Sequence, residues 1–100
     1  MSNEALKAFR NACRPHQSLN AKFCDMIEAA LALLRVECDC AIFKIRNQSL
    51  SADLERVLAS HTEAFETARK NLAELASEMG IDLPEYSPDE VLRLVSGKEP

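Results

Sequence analysis

Three places in the sequence hold side chains able to do chemistry: His61, the Cys38-Asp39-Cys40 triplet, and Cys13 with His16. A histidine can accept a phosphoryl group. Histidine phosphotransfer needs it exposed, with Lys and Gly close by. Ser60-His61-Thr62-Glu63-Ala64 offers neither, and His61 falls in an apolar stripe between Leu58 and Phe65. The spacing predicts a histidine satisfied in a core or at its edge. The two thiols of Cys38-Asp39-Cys40 suggest metal or redox chemistry until they are placed on a helix. Two residues apart is about 200° around the axis, so they point away from each other and neither chelate nor bridge as a pair. Cys13 with His16 is better spaced, and a third ligand from Cys38 or Cys40 on a neighbouring helix would complete a zinc site of the Cys/His kind. The plainer expectation is that the cysteines serve as small apolar residues, with one exposed thiol, Cys40, available to link two subunits in oxidising buffer.

Beyond these, the sequence holds no paired catalytic carboxylates, no Ser-His-Asp arrangement, no phosphate-cradling glycine loop and no Glu-x-x-His pattern. Its two glycines stand at predicted helix ends, leaving no flexible loop for an active site. The expectation is a chain that is not an enzyme, with no catalytic residue, resident metal or cofactor.

The elements that would position these residues are helical. Ala and Leu dominate, Trp is absent, and two Gly and four Pro leave little material for turns. A length of 100 residues predicts one domain, 1–100. The longest apolar pattern is Cys24, Ile27, Leu31, Leu34, Cys38, Ala41, Ile45, which repeats in steps of three and four over three heptads. Glu28, Arg35, Asp39 and Arg46 lie opposite. A second stripe, Leu54, Leu58, Phe65, Ala68, Leu72, Leu75 and Met79, is out of phase with the first by about 170° on one straight rod. The chain must therefore reverse near Gln48 to Ser51, and Ser51 caps the helix after the reversal. Ser18 is placed to cap the preceding helix, and Ser2 or Asn3 the first one. Gly80 suits the left-handed position after Met79, with Ile81 folding back on Ala76. In Tyr86-Ser87-Pro88-Asp89-Glu90-Val91 the spacing predicts Ser87 as N-cap, Pro88 at N1, Glu90 closing a capping box, and Tyr86 with Val91 as a hydrophobic staple. Gly97 stops that helix.

The fold class expected is all-α: a long antiparallel helical hairpin, about 19–47 and 52–79, with short helices at about 4–13 and 88–96. The hairpin is expected to dimerise into a bundle.

Charge and surplus apolar surface then point to function. Residues 1–46 carry seven Lys/Arg against five Asp/Glu, a balance of +2, while 47–100 carry five against eleven, a balance of −6. An acidic second half is a poor surface for nucleic acid and a good one for a basic protein patch. No long apolar run or N-terminal signal pattern is present, which predicts a cytoplasmic chain without a membrane partner and with reduced thiols. Phe23, Met26, Ala30 and Leu33 extend the dry face of the second helix beyond its heptad stripe, and Phe43 stands near the wet side. With Leu6 and Phe9 of the first helix, these seven are the candidate partner-binding residues. The expectation is a small acidic regulator or inhibitor of the anti-activator type, occupying the dimerisation or docking surface of a partner such as a transcription regulator. A chaperone for a secreted client acts similarly. The alternative is a structural coiled-coil subunit. On this reading, exchanging Met26 and Leu33 for glutamate abolishes binding and leaves helicity intact.

Overall fold

The computed structural model describes residues 2–46, 49 and 51–96, the side chains of residues 2 and 3 apart. Among them are four helices, α1 (Ser2–Cys13), α2 (Gln17–Ile45), α3 (Ala52–Glu78) and α4 (Pro88–Ser96), and no strand. The molecule measures 46 × 30 × 18 Å. Its radius of gyration of 15.1 Å exceeds the roughly 13 Å of a compact chain of this length, because α2 alone is about 43 Å long.

Local chemistry explains most helix ends. The Leu54 N–H donates to the Ser51 hydroxyl at 3.0 Å, and Asp53 and Glu55 stand at the positive end of α3. At its other end Gly80 takes φ +74°, the Ile81 N–H donates to the Ala76 carbonyl at 2.8 Å and the Gly80 N–H to that of Ser77 at 3.0 Å. This is the paired bonding of a Schellman motif, and Ile81 packs against the core as the motif requires. Pro88 opens α4, while Tyr86 and Val91 are both buried.

Two caps differ from the expectation. α2 begins at Gln17, one residue before Ser18, and extended His16 occupies the N-cap position without a side-chain cap bond. Pro15 biases Arg14 away from helix, and the chain re-enters helix as soon as it has passed the turn. At α4 the Glu90 N–H donates to the Ser87 carbonyl at 3.1 Å, but Oε2 of Glu90 is buried without a partner rather than reaching back to close a box. The expected caps at Ser2 or Asn3, the middle of the 47–50 reversal and the stop at Gly97 fall outside what the structure describes.

The larger correction concerns which face of α2 is inside. α2 packs against α3, α4 and α1, and α1 also meets α4. Its buried stripe is Leu19, Phe23, Met26, Ala30, Leu33, Val36 and Cys40. The heptad stripe lies beside it: Cys24, Cys38 and Ala41 are exposed, Ile27, Leu31 and Leu34 half-buried, and Ile45 is 80% exposed. Both stripes satisfy helical periodicity. The one that holds Phe23 and Met26 offers more apolar area, and α1 and α4 add to it Leu6, Phe9, Cys13, Tyr86, Val91 and Leu94. Phe9 and Phe23 meet with centroids 5.7 Å apart, and Phe65 stands edge-on to Tyr86 at 6.4 Å.

Candidate protein-binding surface

Six of the seven residues expected to face a partner are spent inside the chain's own core. Leu6, Met26 and Ala30 are fully buried, and Phe9, Phe23 and Leu33 nearly so. The short helices fold over them completely. Phe43 remains at the surface, 38% exposed, beside Ile42 and Ile45 at 48% and 80%. Val57, near the start of α3 and so at the same end of the hairpin, is also exposed.

Met79 after the end of α3 and Leu92 and Val95 on α4 are exposed as well, but the four at this end form the larger group among the described residues, and helix lengths explain why they collect there. At 1.5 Å per residue, α1 and α4 are about 18 and 13 Å long against about 43 Å for α2. They cover the half of α2 that carries Leu19 to Leu33. Past Val36 only α3 is left, and one antiparallel neighbour covers one side of a helix. Cys38, Ala41, Ile42 and Ile45 are thereby left facing out. The sequence held the signal for Ile42, Ile45 and Val57 in this same length arithmetic, applied to the far end of the hairpin instead of to the widest part of the stripe.

The other candidate residues have local explanations. His61 is half-buried, with Nδ1 2.9 Å from the Val57 carbonyl, so its ring is held within its own helix. Cys40 is buried and Cys38 exposed, on different sides of α2 as their spacing requires. The exposed thiols are thus Cys24 and Cys38, not Cys40. Cys13 and His16 precede α2, whereas Cys38 lies about 30 Å along it. They cannot share a zinc ion, and no group of three or more metal-capable side chains occurs among the described residues. No helix among the described residues is long and apolar enough to cross a membrane.

A polar nook lies away from this surface. Arg69 of α3 donates to the Glu66 carboxylate, with its guanidinium 5.9 Å from the centre of the Phe65 ring. Tyr86 packs against the same ring and lines a hollow with Arg69, Glu85 and Glu90. Burial pushes the Tyr86 phenol up to about 12, with Arg69 opposing and Glu66 reinforcing the shift. Burial likewise pushes the Cys13 thiol up to about 11, and Cys24 adds to it.

Both groups hold their protons longer folded than unfolded. Their contribution to stability is therefore complete below about pH 9 and is lost as pH rises toward 12. Tyr86 is the only tyrosine and Trp is absent, so tyrosinate absorbance reports this one site. The expected result is a titration displaced from about 10 to about 12, or coincident with alkaline unfolding, with melting temperature falling from pH 9 upward. A simple step near pH 10 in the folded protein contradicts the burial. Comparisons with protein-family models, with curated proteins and with solved structures returned no match for the chain.

Proposed function

We propose that the chain acts by binding another protein, and that the far end of the α2–α3 hairpin is its docking surface. The observation that carries this reading is the exposed apolar group Ile42, Phe43, Ile45 and Val57, left uncovered because the short helices stop before it. Three of the four project from the last turns of α2, an exposed helical stripe suited to packing against a helix of the partner. Such a protein regulates by occupation: it covers a partner's helical surface that would otherwise pair elsewhere, as an inhibitor or anti-activator does. The charges beside it are mixed, Lys44, Arg46 and Arg56 with Asp53 and Glu55, so apolar contact and not net charge carries the docking.

A second reading, a structural subunit assembled from copies of this chain, draws support from the heptad stripe Cys24 to Ile45 on the outer flank of α2. Light scattering separates the two, since a stable oligomer whose mass is lost on substitution in the stripe favours assembly.

The direct test is the double substitution Ile42→Glu with Ile45→Glu. Both positions are exposed, so the change in stability is expected to stay within about 0.5 kcal/mol. The partner recovered with the unaltered chain by cross-linking and mass spectrometry should be lost. Recovery of the same partner at undiminished yield would remove this surface from consideration.

A further inference from the structure

The outermost face of α2 has a pattern of its own. Steps of four and three alternate from Gln17 through Ala21 and Cys24 to Ile42 and Ile45, four heptads without a break. This line shares Cys24, Leu31, Cys38 and Ile45 with the heptad stripe but lies farther from the core. Every position on it is exposed except Leu31 at its midpoint, which is half-buried. A heptad seam of this length is long enough to pair with another helix, and among the described residues no other helix buries it.

The order of residues along the face says what pairs with it. In a two-fold contact, residue i of one copy meets residue j of the other, and j meets i. Let two copies of α2 lie antiparallel with the axis at Leu31. Glu28 then stands level, to within one residue or about 1.5 Å, with Arg35 of the second copy, and Arg35 with its Glu28. Cys24 comes level with Cys38 of the second copy, small Ala21 with its large Ile42, and Leu31 with its own counterpart. A single axis satisfies all of these at once. A parallel pair sets Glu28 beside Glu28 and Arg35 beside Arg35, like against like. Exposed ion pairs add little energy, but flanking charges of this kind decide which way two helices run.

We propose that two copies of this chain pair antiparallel along α2, about a two-fold axis at Leu31, with Glu28 of each copy beside Arg35 of the other and Cys24 of each facing Cys38 of the other. The pairing rests on the assembly reading above and gives it an axis and a register. Ile42 and Ile45 lie at the ends of this seam, so a second copy competes for them with any other protein that docks at the far end of the hairpin.

The experiment takes the full chain, reduced, and follows its mass by light scattering over a concentration series, expecting a rise to twice that of one chain. A short bis-maleimide is then added, and the joined peptides are mapped by mass spectrometry. The expected product joins Cys24 to Cys38, both exposed. Within one chain those two thiols lie about 21 Å apart along a single helix, beyond a short linker, so the product reports the pair of copies. Cys24→Ser alone and Cys38→Ser alone should each abolish it, and an equal mixture of the two variants should restore it. Arg35→Glu should raise the dissociation constant about tenfold, and adding Glu28→Arg to it should bring the constant back. A chain that stays monomeric at every concentration ends the assembly reading and the proposed pairing together. A stable oligomer in which Cys24 joins Cys24 and Cys38 joins Cys38 keeps assembly and overturns the antiparallel pairing alone. A dimer that Arg35→Glu leaves unchanged overturns it as well.

Discussion

Exchanging Met26 and Leu33 together for glutamate is expected to unfold the protein. Met26 is fully buried and Leu33 is 4% exposed, both in the stripe shared by α1, α3 and α4. A carboxylate at either place must ionise in an apolar interior or take up a proton. Either route costs several kcal/mol per site. Two such sites rival the roughly 5–15 kcal/mol that holds a domain of this size together. Far-UV circular dichroism at neutral pH should show most of the helical signal gone, and acidification should restore part of it. The sequence alone suggested the opposite, that these positions face a partner and the substitutions spare the fold. A double variant that melts like the parent would return them to the surface.

The second large effect is expected from Phe23→Ala. The Phe23 ring is 1% exposed and meets Phe9 of α1 at 5.7 Å, so its loss removes apolar contact and leaves a cavity at the seam between helices. Substitutions of this kind cost about 3–5 kcal/mol. The urea midpoint should fall accordingly, with the slope of the transition unchanged unless α1 detaches first. Phe43→Ala makes the useful comparison. The same chemical change at a position 38% exposed and outside the core cluster should cost far less. Equal losses at the two positions would mean that α1 does not cover α2 as described.

What could be read from the sequence was whatever local chemistry decides. Ser51, Gly80 and Pro88 set their helix ends through bonds that span only a few residues, and the structure has each of them where its residue type demands. The same holds for the middle of the inward stripe of α3, where Phe65 and Leu72 are buried, while Met79 at the end of the expected stripe is 40% exposed because the helix stops before it. On α2 the matter is different. Two apolar stripes lie side by side, and periodicity cannot say which one meets α3 and which is left over. That choice depends on where α1 and α4 land, which is a tertiary fact. The nook around Tyr86 is illegible for a related reason: it is assembled from Arg69 on α3, Glu85 and Tyr86 in the connector and Glu90 on α4, with no spacing pattern to announce it.

Among the described residues, α2 touches each of the other three helices, while the backbone of α3 comes close to neither α1 nor α4. Every route by which the molecule loosens therefore passes through one wall. The α1–α4 pair cannot peel away without wetting Phe23 and Met26, and α3 cannot leave without wetting Leu33 and its neighbours. The half of α2 walled on several sides is bound into a single cooperative unit, whereas the last turns, from Ala41 to Ile45, are free to fray at small cost. The surface offered for docking is thus also the least anchored part of the scaffold, and a partner that seats there would gain affinity only after stiffening it.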